Sequence, residues 1–264
     1  MARDDDLRPP STMFQTCKKR NSIALTTILV LQPDQTDPPE RVGEWLRHEG
    51  IALRMIRPFD GEAVPTTVVE DGVIVLGGDM GAHDDRDHPW LSDIKVLLHR
   101  AVAFQVPTLG ICLGAQLLAA ATGGQVERGA DGMESGVAVI APRPEAKGDE
   151  LFGSLPERMR MMTMHRDAIT ALPPGALWLA DSDPYPHQAF RLGSSAWGVQ
   201  FHPEISPATY RTWARFSTDE GEGLQRVIDG IPEVERFDGA ILPAAEAFTR
   251  SFADIVRRRS RSHR

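Results

Sequence analysis

Apolar residues come in short unbroken runs in the first half of the chain and in broken, turn-separated runs in the second. Ile23 to Leu31, Ile51 to Ile56, Gly72 to Leu76 and Val106 to Ile111 are mostly apolar and are bounded by turn formers. Runs of that length predict strands buried on both faces. Between them, Glu40 to Glu49 sets Val42, Trp45 and Leu46 at helical spacing and stops at Gly50. Leu91 to Phe104 and Leu113 to Thr122 also read as helices. Strands alternating with helices at this spacing predict a parallel sheet with helices on both faces. Such sheets bind ligands at the carboxyl ends of their strands.

From Gly136 onward the runs are shorter: Gly136 to Ile140, Met159 to Met164, Ala176 to Ala180, Gln188 to Leu192 and Ala196 to Phe201. These predict antiparallel additions to the sheet. Beyond Ser206 the pattern turns helical and ends with Ala244 to Arg257. The expected fold is therefore a single α/β domain of flavodoxin-like type, a mostly parallel sheet sandwiched by helices. It should occupy residues 22–215, after a disordered polar tail at 1–21 containing Pro9-Pro10. Residues 216–264 form a C-terminal helical extension packed on the domain. Its last eight residues hold five arginines and are expected to fray.

Composition narrows the function. At 264 residues with 41% hydrophobic content there is material for a substantial core. The formal net charge of −8 argues against a nucleic-acid partner, which needs a basic face. Ser22 to Leu31 is too short to span a bilayer, and Asp4 to Asp6 precede it where a signal peptide would be basic. No export and no membrane anchor are expected. The two cysteines, Cys17 and Cys112, make no disulfide framework, and a free thiol suits a reducing cytoplasm.

Two strings carry chemistry. Gly110-Ile111-Cys112-Leu113-Gly114-Ala115-Gln116 places a cysteine between glycines where a strand meets a helix. It is the thiol counterpart of the Gly-x-Ser-x-Gly elbow, a sharp turn that projects a nucleophile from a strained backbone. The helix N-terminus favours thiolate, and the Leu113 N–H points where an oxyanion would form. Phe201-His202-Pro203-Glu204 closes another strand with a histidine and a carboxylate two residues apart. Together they predict a Cys-His-Glu set, in which His202 takes the thiol proton and Glu204 orients the ring.

These strings do not stand alone. Gly77-Gly78-Asp79-Met80-Gly81, Gly110 to Gln116, His165-Arg166-Asp167, Gln188-Ala189-Phe190 and Gly198 to Glu204 occur in that order. The region from about Ile23 to Ile205 thereby resembles the class I (triad) glutamine amidotransferases, close to the stand-alone proteins similar to the glutaminase part of GMP synthase. The resemblance implies that Cys112 attacks the glutamine side-chain amide, that a γ-glutamyl thioester forms, and that water releases glutamate. It implies an oxyanion hole from the Gly78 and Leu113 N–H groups, and substrate binding by Gln116, His165 and Asp167. No cofactor and no metal are expected. Nothing resembles the Ser-Gly-Gly-x-Asp-Ser loop of an ATP-using partner domain, so ammonia is expected to pass to a separate synthetase subunit, or the enzyme acts alone.

Two positions depart from the family pattern and bear on the substrate. Arg166 stands where glycine is frequent, and Val137 where tryptophan is frequent. With the acidic loop His83 to His88, Arg166 keeps open a larger γ-glutamyl amide or peptide as substrate. A catalytically idle regulatory homologue is the other alternative, against which stand the intact Cys112, His202 and Glu204. The loop at 83–88 has no metal-ligand spacing and reads as solvated chain near the cleft. Met159, Met161, Met162 and Met164 read as strand packing.

Overall fold

The computed structural model describes residues 25–217 and 220–262; the expected tail at 1–21 lies outside them. The strands are β1 (Thr27–Leu31), β2 (Ala52–Ile56), β3 (Gly72–Val75), β4 (Thr108–Ile111), β5 (Gln125–Arg128), β6 (Glu134–Pro142), β7 (Met159–His165), β8 (Asp167–Ala171), β9 (Leu177–Asp181), β10 (Ala189–Leu192) and β11 (Ala196–Val199). The α-helices are α1 (Glu40–His48), α2 (Trp90–Ala103), α3 (Leu113–Ala121), α4 (Pro207–Phe216) and α5 (Gly221–Ser262).

Nine strands form one sheet in the order β2-β1-β3-β4-β11-β10-β9-β6-β7. The half from β2 to β11 is parallel. From β11 through β10 and β9 to β6 and β7 every pairing is antiparallel. This is the α/β architecture the hydrophobic pattern predicts. The parallel strands are apolar on both faces because helices cover both. Leu29, Leu31, Val73 and Val75 point to one core with Leu97 of α2 and Leu117 of α3. Ile28, Val30 and Ile74 point to the other with Leu46 of α1 and Phe248 and Phe252 of α5. Met159, Met161 and Met162 are buried in that second core.

The sequence pattern misses the ribbon of β5 and β8, which pair antiparallel outside the main sheet. Only Val126 of β5 is buried, so no apolar run marks it. The expected fraying at the C-terminus is corrected as far as Ser262, the last described residue. Arg257 reaches Glu49 and Arg258 reaches Glu150 (2.8 Å), and Arg259 donates to the Ser194 carbonyl (3.2 Å). These three arginines are spent on acidic and carbonyl groups of the same molecule. α5 stays helical for 42 residues despite Pro232 and Pro243.

Candidate active site

β4 and β11 are parallel neighbours with Ile111 opposite Val199. Their carboxyl ends therefore deliver Cys112 and the segment 200–204 to one edge of the sheet. The Cys112 N–H donates to the Val199 carbonyl (2.8 Å), which fastens the turn to the neighbouring strand. Cys112 has φ 49° and ψ −108°, a left-handed backbone that is costly for a residue with a Cβ. The helix enforces it. α3 begins at the next residue and lies so near β3 that a Cβ on Gly114 would stand 2.1 Å from the Val75 carbonyl oxygen. The sulfur lines a cleft of about 710 Å³ although Cys112 is only 5% exposed.

His202 and Glu204 enter the same cleft edge from the turn after β11. The His202 N–H donates to the Met162 carbonyl of β7 (2.8 Å). Its Nδ1 lies 2.6 Å from Glu204 Oε1. Trp213 of α4 meets the ring edge to face at 4.8 Å and is itself anchored by donating from Nε1 to the Thr36 carbonyl (2.8 Å). That leaves Nε2 for the sulfur: it is buried and has no full hydrogen bond to protein among the described residues. Burial by itself would lower the His202 pKa. The attraction of Glu204 and of Cys112, with the contacts to both, outweighs burial and holds it well above the ordinary value. The assembly is built to carry a proton on the imidazole beside the Cys112 sulfur, and that proton can go to a departing amine.

Gly78 and Leu113 face each other across the mouth of the elbow; a Cβ on Gly78 would stand 2.9 Å from Leu113 Cδ2. Neither N–H donates a backbone hydrogen bond among the described residues, so both are available to a developing oxyanion.

On the other side of Cys112 lie Gln116 and the segment 165–167. Gln116 donates from Nε2 to the Asp167 carbonyl (2.8 Å). His165 is buried, with Nε2 2.6 Å from Glu134 Oε2 and Nδ1 3.0 Å from the Asp167 carbonyl. Both ring nitrogens are engaged by protein acceptors, so His165 holds the segment in place. The Asp167 and Asp84 carboxylates converge over Gly81, where a Cβ would stand 2.9 and 3.2 Å from them. Two carboxylates so placed attract a cation. Arg166 grips Asp79 (2.6 Å) and so ties the turn before β8 to the loop after β3. Val137 does not line this cleft; its N–H donates to Glu233 of α5 (3.1 Å). The loop at 83–88 is pinned rather than loose: Asp85 pairs with Lys95 of α2 (2.6 Å) and Asp84 accepts from the Gly81 N–H (2.7 Å).

Gln200 escaped sequence reasoning. It is 1% exposed and donates from Nε2 to Cys112 Sγ (3.6 Å), while its Oε1 accepts from Gln116 (3.3 Å). The signal was its place between Val199 and the His-Pro-Glu string, at the strand end beside the elbow. A hydrogen bond contributes about 0.5–1.5 kcal/mol net. Gln200→Leu is therefore expected to slow alkylation of Cys112 by iodoacetamide at pH 7 by about tenfold, measured by mass spectrometry, with the thermal midpoint little changed. An unaltered alkylation rate would remove Gln200 from the site.

Residues 43–216 match the family model described as glutamine amidotransferase class-I. A glutamine-hydrolyzing GMP synthase subunit of Thermococcus kodakarensis is 32% identical over 167 residues, 63% of this chain and 83% of that one. The glutamine-hydrolyzing GMP synthase of Staphylococcus carnosus is 36% identical over 140 residues, 53% of this chain. This chain matches only 25% of that synthase's length. The crystal structure of a glutamine amido transferase from Methylobacillus flagellatus superposes with a TM-score of 0.76 at 26% identity, covering 88% of this chain and 95% of that one.

Proposed function

Because this chain belongs to the class I glutamine amidotransferases, we propose that it hydrolyses the side-chain amide of glutamine at Cys112 and releases ammonia to a separate synthetase subunit. The Cys112 thiolate adds to the amide carbon, and the oxyanion is received by the N–H groups of Gly78 and Leu113. Imidazolium His202 gives its proton to the nitrogen, the carbon–nitrogen bond breaks, and ammonia leaves a γ-glutamyl thioester. The neutral ring then takes a proton from water as water attacks the thioester. The carbon–sulfur bond breaks, and glutamate departs from a regenerated thiolate. Glu204 holds the ring by its Nδ1. Asp167 receives the substrate ammonium, and Gln116 and His165 shape the glutamyl side.

One observation carries this reading: Cys112 and the His202–Glu204 pair meet on adjacent strand ends at the mouth of one cleft. A free thiol and the partner relation fit a cytoplasmic enzyme, and no helix among the described residues is long and apolar enough to cross a membrane. The cleft, at about 710 Å³, lies in the range of sites for ligands larger than one amino acid. This favours as second reading a longer γ-glutamyl amide. A panel of glutamine, γ-glutamylethylamide and γ-glutamyl dipeptides, with detection of glutamate, separates the two. Glutamine is expected to be cleaved, faster with the synthetase subunit present. Cleavage of the bulky amides alone would overturn the glutamine assignment.

A further inference from the structure

Asp37 lies in the loop between β1 and α1 and is 5% exposed. Its Oδ1 is buried and has no hydrogen-bond partner among the described residues. A buried carboxyl without a partner is costly, so its surroundings carry information. It sits against the His202–Glu204 pair: one polar atom from each of Asp37, His202 and Glu204 lies within 4.8 Å of the others. Gly77 permits the approach, since a Cβ there would stand 3.2 Å from both Asp37 Oδ1 and His202 Cε1. Glu204 Oε2, the oxygen turned away from His202, is likewise buried without a partner. Two carboxyl groups thus flank one imidazole, and only Glu204 is hydrogen-bonded to it. The other charged groups acting on Asp37 are Asp34 in its own loop and Asp79 after β3, both acidic.

We propose that Asp37 is a positioning residue of this site, a buried carboxyl that sets the charge around the His202–Glu204 pair and thereby the alkaline limit of hydrolysis. The idea rests on the hydrolytic reading above. Burial raises the Asp37 pKa most. His202 pulls it down, Glu204, Asp34 and Asp79 push it up, and it settles at about 8. At neutral pH the side chain is a carboxylic acid, and the imidazole feels one adjacent negative charge. Above pH 8 a second appears. It fixes the proton on His202, whereas attack of water on the thioester needs the ring neutral.

Two measurements test this, both with EDTA present so that no cation substitutes for the proton. The first is kcat for glutamine from pH 7.0 to 9.5. The wild type is expected to lose about thirtyfold along a one-proton limb near pH 8, and Asp37→Asn to lose less than about threefold. The second is the thermal midpoint of both proteins from pH 4 to 8. The native state keeps a proton that unfolded Asp37 releases above its ordinary pKa of 3.8. Wild-type stability should therefore fall relative to the Asn variant as pH rises from about 4 to about 8. The midpoints should coincide near pH 4 and differ by several degrees, roughly, at pH 8. Asp37→Ser serves if the Asn variant does not fold.

A wild-type profile without an inflection near pH 8 overturns the proposal with no variant needed. So does an Asn variant that keeps the limb, or a midpoint difference that does not change with pH. If the protein cleaves no glutamine at any pH, the hydrolytic reading fails and takes the alkaline-limit role with it. The midpoint series still decides whether Asp37 is held neutral.

Discussion

Cys112→Ala is expected to lower kcat/KM for glutamine by about 100,000-fold and to leave the fold in place. The reason is covalent: without sulfur no thioester forms, and what remains is the modest help of oriented donors to direct attack by water. Alanine keeps a Cβ at φ 49°, so the strained turn is neither relieved nor worsened. The thermal midpoint should move by a few degrees, roughly, at most. His202→Ala should cost about 10,000-fold, because the same ring must give a proton to ammonia and take one from water. Glu204→Ala should cost about a hundredfold, since it orients a base that is still present. Glutamate production by the three variants, each checked by circular dichroism, tests the order. Turnover by Cys112→Ala near the wild-type rate would refute the assignment.

Gly114→Ala should destroy the protein by a different route. The added Cβ would sit 2.1 Å from the Val75 carbonyl oxygen and 2.7 Å from its carbon. Real side chains do not approach backbone so closely, and neither partner can rotate away. α3 would have to lift from β3, carrying the N-terminal turn beside Cys112 with it. That breaks the packing of Leu113, Leu117 and Leu118, all buried. The expected loss exceeds about 4 kcal/mol, enough to leave much of the protein insoluble on expression. A soluble variant with a wild-type thermal midpoint would show that the elbow is looser than its geometry.

The sequence read most clearly where one element decided its own structure. Ile28 to Leu31 and Val73 to Leu76 are buried on both sheet faces, and an unbroken apolar run can do little else. The elbow was legible because its geometry depends on five neighbouring residues. What the sequence hid was set by distant pairing. β5 is an exposed strand that exists because β8 lies beside it. Gln200 matters because β11 and β4 are in a register that sets it against Cys112. Asp37, between prolines and polar residues, reads as ordinary loop, and its burial comes from His202 and Glu204, more than 160 positions away. Arg257 to Arg259 read as a loose basic end because Glu49 and Glu150 are invisible to a local window.

Arg41 at the start of α1 links two parts of the molecule that sequence distance separates. Its backbone N–H donates to the Glu204 carbonyl (3.0 Å). Its guanidinium donates to the Ile205 carbonyl (3.1 Å) and pairs with Asp238 of α5 (2.7 Å). The last helix is thereby a single side chain away from the backbone that aims the general base. A change to that helix that displaces Asp238 therefore reaches the turn that carries His202 and Glu204.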